Sequence, residues 1–221
     1  MLVSRDIAPY APIMAWISRR STRAFAGAGA ALVLGGAALW SVSSATARSG
    51  LEVLVGSAPF ECVDPEAVTT NDLQLGSDDG VAVTLPALSV TRNLDCRFTF
   101  IVHNTSNVDV KVKSVDIQLA GPGNGTGVQI GTLEFNGNTF RALDNQEADA
   151  RFEINDSLPA GEAARVTAMV GSMPGCLGAG GSQSMVNSPS LRISALGLGG
   201  DVSPRGPVYS LMGTAESSCE N

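Results

Sequence analysis

The chain has 221 residues, of which 44% are hydrophobic and only 16% are charged, so most of it is expected to fold around a core rather than remain disordered. From residue 48 onward it holds 10 basic and 20 acidic residues, and this formal charge of −10 excludes nucleic acid as a partner, because such binding depends on clustered Lys and Arg. Glycine is abundant and aromatic residues make up 5%, a mixture that favours short strands and turns over long helices.

The first predicted element is an apolar helix over residues 24–47, which contain no charged residue. At 1.5 Å per residue such a helix is about 36 Å long, enough to cross the hydrocarbon core of a bilayer. Arginines stand at positions 19, 20 and 23, just before it, and the positive-inside rule places that end in the cytoplasm. We therefore predict a cytoplasmic segment 1–23, a transmembrane helix or signal-peptide core 24–47, and an extracytoplasmic domain 48–221.

The sequence leaves two possibilities for this segment, which are retention as a membrane anchor and cleavage as a signal peptide. It ends in Ala45-Thr46-Ala47, an A-x-A pattern that signal peptidases favour. The arginine pair at 19 and 20 also resembles the start of a twin-arginine signal. Against cleavage, the 23 residues that precede the apolar run are many for a simple signal peptide. The prediction is a single-pass membrane protein anchored by this helix, and the alternative is secretion after cleavage near Ala47.

All four cysteines follow the export segment, at Cys62, Cys96, Cys176 and Cys219. An even number outside the cytoplasm predicts two disulfides, for which three connectivities are possible. The pairs Cys62–Cys96 and Cys176–Cys219 are favoured because each joins neighbours in sequence and pins a segment poor in periodic structure. A zinc site is the rival interpretation, but the chain has no C-x-x-C spacing and one histidine.

Period-2 alternation recurs through the outer domain and predicts strands. In the strongest run, the apolar residues from Cys96 to Val102 share one face, and the intervening Arg97, Thr99 and Ile101 share the other with His103. In chain order the predicted strands are 51–55, 81–85, 96–103, 108–119, 128–133, 150–154, 164–170, 191–196 and 207–212.

Two irregularities stand out between these strands. The alternation of 108–119 slips by one residue at Ser114, which predicts a β-bulge. The glycine-rich residues 121–127 are predicted to form a hairpin connection, since they lack the Lys and the following helix of a phosphate-binding loop. Seven to nine short strands predict a mostly β domain built as an antiparallel sandwich.

A resemblance supports that fold. Leu158-Pro159-Ala160-Gly161-Glu162, followed by an alternating apolar strand to residue 170, resembles a turn-and-strand unit of bacterial immunoglobulin-like envelope and surface domains. Residues 104–106 and the Val-x-Val-x-Val strand after them are similar to another such unit. The resemblance covers about half of the outer domain. It implies an immunoglobulin-like β-sandwich and a surface or adhesion role, with no functional residues to transfer.

The sequence predicts no catalytic, cofactor-binding or metal-binding residue. The single histidine, His103, lies in a strand, so Ser-His-Asp and Cys-His hydrolases are disfavoured. Acidic pairs and a triplet occur in predicted loops, and their carboxylates are candidate calcium ligands that match no EF-hand spacing. They are Asp64 with Glu66, Asp78 with Asp79, and Asp144 with Glu147 and Asp149. Three N-x-[ST] triplets, headed by Asn104, Asn124 and Asn155, are attributed to chance.

These observations predict a non-catalytic cell-envelope protein that displays an immunoglobulin-like module for recognition or structural roles outside the membrane. Its partners would be the membrane, through the N-terminal helix, and an envelope or surface component. The loops around Cys62 and the stretch 171–189 are the expected contact surfaces, because loops carry function on sandwiches. The alternative is a secreted hydrolase that uses carboxylates, with or without Ca²⁺.

Overall fold

The computed structural model describes residues 40–75, 81–144, 147–177, 180–203 and 206–218. Residues 40–49 are helical, and the chain from Ser44 onward forms one compact unit. Among the described residues, no helix has the length and apolar character needed to cross a bilayer. Most of the predicted segment 24–47, and all of 1–23, lie outside the described residues.

The described chain is mostly β, as predicted. It contains thirteen strands: β1 Leu51–Cys62, β2 Val68–Leu75, β3 Val81–Val90, β4 Asp95–Asn104, β5 Val110–Ile117, β6 Val128–Phe135, β7 Asn138–Arg141, β8 Ala150–Leu158, β9 Ala163–Ser172, β10 Gln183–Asn187, β11 Ser190–Ala195, β12 Leu198–Val202 and β13 Pro207–Gly213. All nine predicted strands are present, and β2, β7, β10 and β12 are additional. The predicted number of strands was therefore too small.

The strands form three sheets. A five-stranded sheet has the order β1-β4-β9-β6-β7, and a four-stranded sheet has the order β12-β11-β5-β8. A third sheet has the order β10-β13-β3-β2, and in it β13 runs parallel to β3. The other described strand pairs are antiparallel, as predicted, and this parallel pair is an exception in a sheet whose strands come from the regions after Cys62 and Cys176.

The first two sheets contribute to one apolar core and give the chain its β-sandwich-like character. On β4 the buried and exposed positions alternate as predicted, and the buried ones include Phe98 and Phe100. From the four-stranded sheet, Val115, Phe152 and Ile193 join the same buried cluster. Alternating inward positions on two sheets are the usual way in which a sandwich forms its core.

The predicted bulge at Ser114 is confirmed. The pairing of β5 with β8 shifts register between Val112 and Ser114, and its pairing with β11 shifts nearby. As a result the adjacent residues Ser114 and Val115 are both buried. The buried hydroxyl of Ser114 has no hydrogen-bond partner within the described chain.

The loop 121–127 crosses between two sheets, because β5 and β6 belong to different sheets. The predicted hairpin connection was therefore wrong. Glycine is required at position 121, where a Cβ atom would lie 2.4 Å from the carbonyl oxygen of Glu147 and 2.5 Å from that of Asp149. The amide N–H of Gly121 donates to the carbonyl of Ala148 at 2.9 Å, so the backbones of the two loops are in direct contact.

The third sheet joins the core through an aromatic cluster. The ring of Tyr209 on β13 lies 4.9 Å, edge-on, from Phe60 and 5.1 Å from Phe98, measured between ring centroids. Burial raises the pKa of the Tyr209 phenol, so this ring stays neutral in its apolar environment.

The residues of the A-x-A pattern lie in the helix at the start of the compact unit. Ser44 and Ala47 are buried, and the Ser44 hydroxyl donates to the carbonyl of Ala195 at 2.8 Å. Two turns of helix thus dock on β11 through small side chains, and Arg48 adds a bond to the carbonyl of Gly199 at 2.5 Å. The small residues at 44 and 47 therefore have a packing role in the folded domain.

The disulfide between Cys62 and Cys96 is confirmed, with a sequence separation of 34. It cross-links residues that are directly opposite on β1 and β4, rather than pinning a segment poor in periodic structure as expected. The chain between them forms β2, β3 and a 3-10 helix at Pro65–Ala67. Cys176 is also disulfide-bonded, and its predicted partner, Cys219, lies outside the described residues.

Candidate functional site

The outward face of the five-stranded sheet carries an ordered set of polar and apolar side chains. On β4 this face presents Arg97, Thr99 and Ile101, as the alternation predicted. Antiparallel pairing aligns them with the outward residues of β9, so that Thr99 lies opposite Thr167. On the next strand, β6, Glu134 lies opposite Thr167. Thr139 of β7 in turn lies opposite Glu134, so a row of polar side chains extends across the sheet.

The two central strands carry the same short pattern, which the sequence interpretation did not detect. It is Arg-x-Thr-x-apolar, at residues 97–101 on β4 and at 165–169 on β9. Because the strands are antiparallel, Arg97 lies opposite Met169 and Ile101 opposite Arg165. The arrangement has a local two-fold character, with the threonine pair at its centre and one guanidinium on each side.

These residues line a shallow, open trough of about 330 Å³. A second hollow of about 380 Å³ adjoins it, and the two share Glu61, Thr99 and Arg165. The second hollow lies beside an irregularity in β1, where the pairing with β4 shifts register between Val55 and Phe60. The combined surface runs across all five strands of the sheet and includes the exposed side chains of Leu54, Ile101 and Met169.

The arginines of the trough differ from those of the opposite sheet in having no ion-pair partner among the residues that the structure describes. Arg97 and Arg165 make no ion pair or side-chain hydrogen bond with any described residue, although Glu61 lies across from Arg97 on the neighbouring strand.

On the opposite sheet the guanidiniums are paired with carboxylates. Arg151 Nε lies 2.6 Å from Asp116 Oδ1, and Arg192 Nε lies 3.6 Å from Asp201 Oδ1. The hydrogen bond and charge of Asp116 raise the pKa of Arg151. The five-stranded sheet is therefore the face whose guanidiniums remain available to an external anion.

The trough holds two carboxylates, but they are far apart. Glu61 on β1 and Glu134 on β6 are separated by three strand spacings and are offset by two residues along the strands, which places their backbones roughly 16 Å from each other. His103, the only histidine, sits half-buried on the same outward face, opposite Glu52 of β1 and Ala163 of β9.

The predicted acidic loop clusters serve local structure where they are described. Asp64 caps the 3-10 helix by accepting the amide N–H of Glu66 at 3.0 Å, and Asp149 accepts the amide N–H of Leu119 at 3.1 Å. Asp78 and Asp79 lie outside the described residues. Within the part of the chain that the structure describes, no three His, Cys, Asp or Glu side chains converge in a way that could hold a metal ion.

The stretch 171–189, predicted as a contact surface, lines a hollow of about 270 Å³ with residues 172–175. Polar groups of this hollow bond to each other. The Ser172 hydroxyl donates to the carbonyl of Arg92 at 2.5 Å, and Glu216 accepts the amide N–H of Arg92 at 3.0 Å. These contacts hold neighbouring loops together, so the hollow is a weaker candidate than the trough.

Two of the N-x-[ST] triplets form one repeated turn. In each, the asparagine Oδ1 accepts the amide N–H and hydroxyl of the residue two positions later, and Nδ2 donates to the carbonyl four positions later. The first turn is built on Asn104 and Val108, and the second on Asn124 and Val128. Asn104 is fully buried and its amide also donates to the carbonyls of Leu158 and Pro159, both at 3.0 Å. These two triplets therefore have a structural role in turns.

Comparison with known proteins assigns no family. No protein-family model matches the chain, and no curated protein matches it. Among solved structures, an M1 zinc metallopeptidase from Deinococcus radiodurans is similar at 16% identity and a TM-score of 0.28, over 42% of this chain and 20% of that one. A GH20 exo-β-N-acetylglucosaminidase from Vibrio harveyi is similar at 10% identity and a TM-score of 0.32, over 67% of this chain and 18% of that one.

A third similar structure is CBM35 from Cellvibrio japonicus Abf62, with 16% identity, a TM-score of 0.24, and coverage of 57% of this chain and 94% of that one. This chain spans about a fifth of the peptidase and glycosidase chains. No functional conclusion follows from likenesses at this level. The chain's own features define a disulfide-bonded, mostly β protein with a β-sandwich-like core and one polar, open sheet face.

Proposed function

We propose that this chain is a non-catalytic recognition module displayed outside a membrane, and that it binds its ligand with the outward face of the five-stranded sheet. The observation that carries this proposal is the pair of exposed guanidiniums, Arg97 and Arg165, which lie unpartnered by described residues in an open trough. An arginine that is free of internal carboxylates keeps its full capacity for charge-assisted hydrogen bonds.

The order of strands supports an immunoglobulin-like assignment for the sandwich. If β1, β4 and β5 occupy the places of strands A, B and C, and β9, β11 and β12 those of E, F and G, the pairs A–B, B–E, C–F and F–G are adjacent. Strands β6 and β8 then occupy the places of strands D and C′. In this chain the strand in the D place comes before the strand in the C′ place, which is the reverse of the immunoglobulin order. The third sheet is an addition to this plan.

Display outside the membrane is supported by the disulfides and by the charge pattern. Disulfides persist in oxidising compartments and are rare in the cytosol. The uncharged residues from 24 up to the start of the compact unit at Ser44, with basic residues before them, provide the membrane anchor in this proposal. The burial of Ser44 and Ala47 supports an uncleaved chain, because cleavage after Ala47 would remove side chains that pack in the folded domain.

The test compares the capture of isolated envelope material by the full-length chain and by a double variant, Arg97→Gln with Arg165→Gln, in mild detergent. We expect capture to weaken by about 100-fold or more, since each lost charge-assisted hydrogen bond contributes about 1.5–3 kcal/mol and 1.4 kcal/mol corresponds to a factor of ten. Arg192→Gln is the matched control, because it removes the same charge from the opposite sheet. Equal capture by the double variant and the control would refute the proposal.

A further inference from the structure

We infer that the ligand of the trough is an acidic polysaccharide, a sugar chain that carries carboxylates at intervals. This inference rests on the proposed function and names the chemical class of the ligand. It follows from three features of the trough, which are the spacing of its two guanidiniums, the mixture of groups between them, and the absence of aromatic rings on its described surface.

The spacing of the two arginines suits an extended ligand with more than one anionic group. Arg165 lies opposite Ile101, which is four residues from Arg97 on β4. At about 3.4 Å per residue along the strand and about 4.8 Å between strands, the two arginine backbones are roughly 14 Å apart. The two-fold character of the pattern suits an extended ligand whose charges repeat, so that each guanidinium can meet its own anionic group.

The groups between the arginines suit sugar hydroxyls. Thr99 and Thr167 lie side by side at the centre, and both can donate and accept hydrogen bonds. Glu61 and Glu134 flank the trough as acceptors for hydroxyl donors. A polyanionic peptide offers few hydroxyl groups to these acceptors, whereas a sugar chain offers several on each ring.

Strands β4 and β9 present no free backbone edge with which an extended peptide could form hydrogen bonds. Extended peptides gain much of their affinity from main-chain hydrogen bonds to a sheet edge. Strands β4 and β9 are interior strands, paired on both sides. Only side chains are available to a ligand lying across them.

Charge, rather than ring stacking, would hold the sugar. The described phenylalanines of β4 and β6, including Phe98, Phe100 and Phe135, are buried in the core. No aromatic side chain of the described residues lines the trough, and Phe60 and Phe100, which line the adjoining hollow, are buried. The exposed Leu54 and Ile101 beside it provide apolar contact for the carbon-bound faces of sugar rings.

The experiment measures the binding of the full-length chain, in mild detergent, to an oligogalacturonate long enough to reach both arginines. The matched probes are the same oligomer with its carboxylates reduced to alcohols, and poly-glutamate of similar length. We expect binding of the oligogalacturonate, a loss of at least tenfold on carboxyl reduction, and a similar loss in the Arg97→Gln, Arg165→Gln variant. The Arg192→Gln control should bind normally, and the melting temperature of each variant shows that it is folded.

Three outcomes would overturn the inference. They are equal binding of the reduced oligomer, preferential binding of poly-glutamate, and no binding of the oligogalacturonate. If capture of envelope material still depended on Arg97 and Arg165 in any of these cases, the proposed function would stand and the ligand class would be wrong. If that capture were also independent of both arginines, the proposed function would fail with it.

Discussion

Replacing Asn104 with alanine is expected to lower the free energy of unfolding by about 3–5 kcal/mol. The fully buried side chain donates to the carbonyls of Val108, Leu158 and Pro159 and accepts two bonds from Ser106. Its removal breaks these five hydrogen bonds, each of which contributes about 0.5–1.5 kcal/mol to stability. Thermal unfolding monitored by circular dichroism would show a drop of about 10 °C for a unit of this size.

Two further variants separate the role of the amide from a general effect of substitution. Asn104→Asp keeps the acceptor but removes the donor, and it places a carboxylate against carbonyl oxygens, so it should destabilise at least as much as alanine. Asn107→Ala, on an exposed position in the same turn, should change stability by less than about 0.5 kcal/mol. A melting temperature for Asn104→Ala that matched the Asn107→Ala control would contradict the assigned role.

Removing the Cys62–Cys96 disulfide is expected to destabilise the chain by about 4 kcal/mol. In the chain-entropy model this is the effect of closing a loop with a sequence separation of 34. The variant Cys62→Ala with Cys96→Ala isolates this bond, whereas a reductant would also attack the disulfide of Cys176. Denaturant unfolding of the variant and the parent chain measures the difference.

Hydrogen exchange shows where the loss occurs. The disulfide encloses β2 and β3, so their amides should lose the most protection, and those of β9 should lose less. Unchanged stability, or a uniform loss across all sheets, would show that the bond does not stabilise the third sheet in this way.

The sequence predicted the strands whose side chains alternate and missed those without alternation. Strand β4 was fully predictable, and so was the bulge at Ser114, because burial on one face of each strand leaves a period of two. Strands β2, with the sequence VTTNDLQL, and β12, with the sequence LGGDV, carry few apolar residues at regular intervals. Their pairing is set by neighbours distant in sequence, and so is the parallel contact of β13 with β3.

The sequence alone predicted only part of the candidate site. The alternation placed Arg97, Thr99 and Ile101 on one outward face, and the repeated Arg-x-Thr-x-apolar pattern was there to be found at 165–169. The register that sets Thr99 against Thr167 could not be obtained from local pattern alone. Whether Arg97 and Arg165 form ion pairs depends on which carboxylates the fold brings near them. The local sequence does not determine this, because the carboxylates come from strands distant in sequence.

The most direct test of the outward face as the binding surface is an arginine footprint. The full-length chain, free and bound to envelope material, is treated with an arginine-specific dicarbonyl reagent, and each modified position is quantified by mass spectrometry. The account predicts that binding slows the modification of Arg97 and Arg165 and leaves that of Arg192 unchanged. Equal rates at Arg97 and Arg165 in the free and bound chain, or protection of Arg192 instead, would contradict it.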